Sequence, residues 1–329
     1  MTETLKVDKH NISKPVLDGH DPWIIAKGDE LYYCYADPSL TIGATGINNQ
    51  DKIYISQVNS PFSISKDKSR CVWTAPFNME CSNEIWAPEL HHFNNKWYIY
   101  FTACSAEGDA THRNFVLESE SNDVFGPYYL KARLEDGNNC WGIDLTVFEF
   151  KESHYCIWSG WENSQKFSQN LYIAKMSNPW TMSSERVLIS RPEYDWEKIS
   201  APELLGGINE GPQIILHQDT ISAIYSASGS WTDHYCLGQL NFVGEDPLNA
   251  SHWHKSPNPV FEKTETILAP GHASFVQHDD QHWIVYHAAR NSGSEWDRII
   301  YTQSYCYNED SRPIFGKPGV PVKRVIGIN

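Results

Sequence analysis

Three carboxylic residues, Asp21, Asp144 and Glu210, each stand at the head of a short apolar run that ends at an aromatic residue fourteen or fifteen positions later. Ala87 and His272 stand in the same relation to Phe101 and Tyr286, so five segments share the pattern. Carboxyl pairs suit acid/base work. A protonated one gives its proton to a leaving oxygen while an ionised one activates water or attacks carbon, the two tasks that cleavage of a glycosidic bond requires. Three carboxylates near one axis cannot ionise independently, so at least one should titrate high and act as the acid. Taken singly, each has an ordinary structural explanation: Asp21-Pro22 as a turn, Asp144 as a strand-end partner, Glu210-Gly211-Pro212 as a loop. A shared phase argues against three unrelated turns.

The elements that carry these residues repeat. The five heads fall 66, 57, 66 and 62 residues apart (21 to 87, 87 to 144, 144 to 210, 210 to 272), and self-similarity at such a period marks propellers and solenoids. Leu31-Tyr32-Tyr33-Cys34-Tyr35, Lys96 to Phe101, His154 to Trp158, Ile221 to Tyr225 and His282 to Tyr286 are aromatic and β-branched runs, each preceded by a polar turn. Strand, tight turn, strand is a hairpin. A third strand follows at Lys52 to Ser56, Asn114 to Glu118, Leu171 to Ala174, Tyr235 to Gln239 and Arg298 to Thr302, and Val187 to Ser190 supplies a fourth in the third unit. Antiparallel strands repeated radially make blades. The expected fold is all-β, a single-domain five-bladed β-propeller over residues 1–329, with blades starting near 21, 87, 144, 210 and 272. A sandwich would not carry so long a repeat with a constant internal offset. Either Leu5-Lys6-Val7 or Val320 to Lys323 is expected to add the strand that closes the ring.

Composition narrows the partners. A formal charge of −15 opposes nucleic acid and anionic membrane, which need a positive surface, and suits a neutral ligand such as a sugar. Thirteen Trp leave enough aromatics for both blade packing and a ligand site. No run approaches the roughly 20 apolar residues that span a bilayer. The first residues show no apolar secretory core, and the eight cysteines form no CxxC pair. They read as reduced thiols rather than a disulfide frame or zinc site. Together these features predict a cytoplasmic protein.

The chain resembles glycoside hydrolase family 43, the five-bladed propeller enzymes of hemicellulose and arabinan breakdown. The resemblance rests on His20-Asp21-Pro22, Trp86-Ala87-Pro88-Glu89-Leu90, Gly142-Ile143-Asp144, Asn209-Glu210-Gly211-Pro212, Gly271-His272-Ala273-Ser274-Phe275 and Trp283 to Ala288. It implies an inverting hydrolase with Asp21 as general base, Glu210 as general acid and Asp144 tuning the acid. It implies a cation, often calcium, or a water in the central channel beside His272, with no cofactor needed for the chemistry. It also implies that Trp86 stacks on the terminal sugar. Glu203, in a second Ala-Pro-Glu-Leu motif, competes with Glu210, but lies 22 residues before Tyr225 (203 to 225) and so out of phase. Glu80-Cys81 superficially matches the Glu-Cys pair of invertase-like propellers, yet it too is out of phase, and those enzymes' Arg-Asp-Pro element is absent.

Trp161 and Trp231 follow core strands and are candidate sugar contacts if their loops share the site's face. Arg290 is a candidate donor to sugar hydroxyls, or a partner for Glu295 or Asp297. The texture is most similar to the α-L-arabinofuranosidase members, so the expected substrate is an arabinose- or xylose-containing oligo- or polysaccharide. The alternatives are a β-xylosidase or endo-arabinanase on the same scaffold, and a non-catalytic carbohydrate-binding propeller.

Overall fold

Every second strand of the repeat is apolar on both faces because both faces are covered. In Leu31-Tyr32-Tyr33-Cys34-Tyr35, the side chains of Tyr32 and Cys34 pack with Leu90, Ile99 and Phe101 of the next unit. Leu31, Tyr33 and Tyr35 pack with Val276, Trp283 and Val285 of the last one. Alternation across a strand sends neighbouring residues to opposite sides, so a strand buried twice reads as a continuous run. In the computed structural model, which describes residues 3–37, 50–201 and 204–326, this arrangement recurs five times and gives a five-bladed β-propeller.

Each blade is one antiparallel sheet whose first strand lines the axis. Blade one runs Trp23–Lys27, Glu30–Asp37, Lys52–Val58, Arg70–Thr74. Blade two runs Asn83–Phe93, Lys96–Cys104, Arg113–Ser119, Tyr128–Arg133. Blade three runs Gly142–Phe150, Ser153–Gly160, Asn170–Asn178, with its outer position shared by Thr181–Met182 and the expected Val187–Ser190. Blade four runs Asn209–His217, Thr220–Ala227, Cys236–Phe242, Trp253–Lys255. Blade five takes Leu268–His278, Gln281–Ala289 and Arg298–Tyr307 from late in the chain.

The outer strand of blade five corrects the closure expected from the sequence. Lys14–Asp18 pairs with Arg298–Tyr307 and completes the ring, while the segments expected to do so form a separate ribbon, Glu3–Val7 against Val322–Ile326. Pro15 hid the closing strand, since proline demotes a run to an edge. An outer edge is where this strand lies.

Apolar clusters fill the remaining gaps between blades: Tyr98, Tyr100 and Val116 with Leu145, Cys156 and Trp158; Phe148, Tyr155 and Ile157 with Ile221, Ala223 and Tyr225; Ile215, Ile224 and Leu237 with Ala273, Ile284 and Tyr286. Each buried Ile or Leu contributes about 1.5–3 kcal/mol. Because the blades are antiparallel, loops after the second strands return to the end of the ring where the first strands begin. That end carries Asp21, Asp144, Glu210 and His272.

Candidate active site

The residues at the axis share an unusual backbone. Asp21 (φ 45°), Ala87 (43°), Asp144 (56°), Gly211 (52°) and His272 (44°) all adopt left-handed conformations. In blades two to five a bulge accompanies them: three steps on the first strand oppose two on the second, between Trp86 and Glu89, Ile143 and Thr146, Glu210 and Gln213, and Gly271 and Ser274. Such bulges re-aim side chains beside active sites. The repeat position in blade four is therefore Gly211, and Glu210 stands one residue earlier, in register with Trp86, Ile143 and Gly271. An offset of fourteen or fifteen residues spans both positions; a strict fourteen selects Gly211.

Side chains from one blade clasp these bulges on the next. The Asp144 N–H donates to Thr102 Oγ1 (3.0 Å), the His272 N–H to Ser226 Oγ (2.8 Å) and the Asp21 N–H to His287 Nδ1 (3.1 Å). Thr102, Ser226 and His287 occupy equivalent places on the second strands. The junction of blades three and four departs from this rule: Ser159 Oγ donates to Asn209 O (2.8 Å), and the Gly211 N–H donates instead to Asp144 Oδ2 (2.9 Å). One carboxylate is thereby anchored to the strand that carries the other.

Asp21 and Glu210 experience opposite surroundings. Burial would raise Asp21, but the neighbouring His272 and His20, the latter hydrogen-bonded to it, hold its carboxyl well below the usual range. Asp21 Oδ1 lies 3.3 Å from Nδ1 of both His272 and His287, and Oδ2 lies 2.9 Å from His20 Nδ1. Burial pushes His287 down to about 3, so its ring is neutral and free to accept the Asp21 N–H. Glu210 is raised to about 7, chiefly by burial and further by Asp21, against the lowering effects of Tyr235 and Arg298. Asp144 is raised well above its ordinary value by burial, by Glu210 and by Asp21. The three groups thus feel one another, and Asp144 and Glu210 titrate as a pair.

Arg298, not Arg290, is the guanidinium at this site. Its side chain is buried and its Nη1 stands 3.8 Å from Asp21 Oδ1. Arg290 lies outside, paired with Asp18 (2.7 Å) and Asp297 (2.9 Å). Arg298 and Tyr235 sit where third strands begin, at the same end of the ring as the carboxylates.

Trp86 stacks on His112 (3.8 Å between ring centroids) and joins Trp141, Ile143 and Trp161 in one cluster beside Asp144. Trp161 is buried face to face with Trp141 (4.9 Å), while Trp231 lies on the same end of the ring near Trp296 (6.1 Å). Glu203 lies outside the described residues. Glu80 is at the surface, 3.1 Å from Arg133.

Two groups deserve comparison as cation sites. Glu84, Cys104 and His112 bring ligand atoms within 4.8 Å of one another, but burial pushes the Cys104 thiol up to about 12, a protonated and poor ligand. The other lies on the axis. Glu89, Thr146, Gln213 and Ser274 share one register position two residues beyond the left-handed one. Gln213 Nε2 donates to Glu89 Oε1, His91 Nε2 lies 3.0 Å from Glu89 Oε2, and the buried Ser274 Oγ has no partner among the described residues. A buried carboxylate and an unsatisfied hydroxyl fit a hydrated hard cation.

The family model described as "Glycosyl hydrolases family 43" matches residues 12–313. This chain belongs to glycosyl hydrolase family 43. Among similar proteins, an "Extracellular exo-alpha-(1->5)-L-arabinofuranosidase" of Streptomyces avermitilis is 31% identical over 91% of this chain, which spans only 61% of that protein's length. A protein of the same name from Streptomyces chartreusis is 31% identical, covering 82% of this chain and 81% of its own. A solved α-L-arabinofuranosidase from Lactobacillus brevis superposes with a TM-score of 0.82 at 28% identity, over 94% of this chain and 97% of its own.

The two Streptomyces proteins are extracellular by name, which overturns the cytoplasmic expectation. The cysteine argument failed for a physical reason. Cys34, Cys81, Cys104, Cys156 and Cys236 are buried free thiols, shielded from oxidants in any compartment.

Proposed function

We propose that this family 43 propeller is one catalytic unit, an exo-acting, inverting α-L-arabinofuranosidase that removes arabinose from arabinan or from the side chains of arabinoxylan. The observation that carries the reading is the gathering of Asp21, Asp144 and Glu210 at one end of the ring, with Asp21 held ionised by its histidines and Glu210 raised to about 7. Asp21 takes a proton from water as the water oxygen bonds to the anomeric carbon. Glu210 gives its proton to the departing oxygen. Asp144 anchors the Gly211 N–H on the strand that carries Glu210, and negative charge on Glu210 in turn raises Asp144. Buried Arg298 balances part of that charge, and Trp86 offers a ring face near Asp144. The choice of arabinose is supported by the names of the Streptomyces and Lactobacillus relatives.

Asp21→Ala and Glu210→Ala are each expected to lose at least about a thousandfold in kcat on linear arabino-oligosaccharides. Released arabinose should appear first as the inverted anomer by NMR. Full activity in either variant removes that assignment. Xylose or internal oligosaccharides as the main product replace the substrate reading with a xylosidase or endo-arabinanase.

The axial layer is proposed to hold a hydrated cation between Glu89, Ser274 and His272, whose Nε2 keeps a lone pair when Nδ1 carries the hydrogen toward Asp21. Such an ion would supply positive charge beneath the carboxylates. Dialysis against a chelator is expected to lower the melting temperature by several degrees, reversed by calcium; an unchanged melt argues for water alone.

A further inference from the structure

Tyr235 immediately precedes Cys236–Phe242, and its hydroxyl donates to Glu210 Oε1 at 2.8 Å. The bond can run only one way: a Glu210 oxygen without a hydrogen accepts, and the phenol donates. Behind the phenol, Ser226 Oγ accepts the His272 N–H, and its hydroxyl lies beside the Tyr235 oxygen. The phenol is 1% exposed, and burial with the neighbouring Glu210 charge keeps it un-ionised, so it remains a donor. Its ring is also built in. It stacks on His287 (5.6 Å, 8°), and a Cβ at Gly271 would fall 2.2 Å from it.

We propose that Tyr235 is a positioning residue that decides which oxygen of Glu210 delivers the proton. With Oε1 occupied as an acceptor, the transferable hydrogen resides on Oε2. As the glycosidic C–O bond breaks, its electron pair goes to the leaving oxygen, which takes the Oε2 proton, while the attacking water bonds to the anomeric carbon and loses its proton to Asp21. The O–H pair left on Glu210 spreads over both oxygens, and the Tyr235 bond strengthens as that charge appears. The proposal rests on Glu210 being the acid.

Tyr235→Phe keeps the ring against Gly271 and His287 and removes one donor. On phenyl arabinofuranoside and arabinobiose, whose leaving groups need a proton, kcat is expected to fall about 10- to 100-fold, with KM moving less than about threefold. On dinitrophenyl arabinofuranoside, whose leaving group needs none, the loss should stay within about threefold. Ser226→Ala should give a weaker split of the same sense, and serves if the phenylalanine variant does not fold. Equal losses on all three substrates, or none, overturn the proposal. Glu210→Ala measured in parallel separates the two readings: a split there without one at Tyr235 or Ser226 rejects only the positioning role, and no split at Glu210 rejects the acid as well.

Discussion

Glu210 binds its proton more tightly in the folded protein than in the unfolded chain, because its raised value, about 7 against an ordinary 4.5, comes mainly from burial. Stability from such a group is complete below the unfolded value and declines as pH climbs from about 4.5 to about 7. Asp21 has the opposite sign: its depressed carboxyl contributes stability above the ordinary carboxylate range, lost as pH falls below it. Activity on unactivated substrates is therefore expected to hold through mildly acidic pH and fall above about 7 as Glu210 loses its proton. Glu210→Gln should gain stability over the parent between pH 5 and pH 8, on the order of 2–3 kcal/mol, read by thermal melts at both pH values. A gain independent of pH would contradict the raised value. Asp21 and Asp144 were legible because each heads a repeated segment, and Glu210 because it stands one residue before the equivalent position. Arg298 and Tyr235 were not, since each appears once, at the start of an ordinary strand, and only the folded register turns that place toward Glu210.

At the scale of the strand, the left-handed bulge does the aiming, and Gly211 shows its tolerance. A Cβ there would lie 3.1 Å from His272 Nδ1, at a φ of +52° that L side chains rarely adopt. Gly211→Ala should cost about 2–4 kcal/mol by strain and contact and displace His272 from Asp21. A kcat loss of at least about tenfold should accompany the drop in melting temperature, and a fully active, equally stable variant would show that the bulge is slack. Strand content was readable from aromatic and β-branched runs, and even Val187–Ser190 emerged. The one-residue shift at Glu210 was not resolved, because hydrophobic runs tolerate a slip in offset that hydrogen-bond register does not.

Across the whole molecule, the ring is held by five interblade cores and closed by Lys14–Asp18. Deleting residues 1–18 would bare Arg298–Tyr307 as an open edge of the kind that invites pairing between molecules. Loss of more than about 10 °C in melting temperature, with larger particles in light scattering, is the expected result; a monomer of unchanged stability would make the strand dispensable. The propeller itself was legible from its period, but its clasp was not, because a five-residue edge strand containing Pro15 carries little signal. The same closure sets a timetable for the newborn protein. Asp21 leaves the ribosome well before His272, His287 and Arg298, which surround it. A nascent chain carrying four finished blades still lacks the groups that keep Asp21 ionised, so the carboxyl cluster is completed in a single step, with the fifth blade.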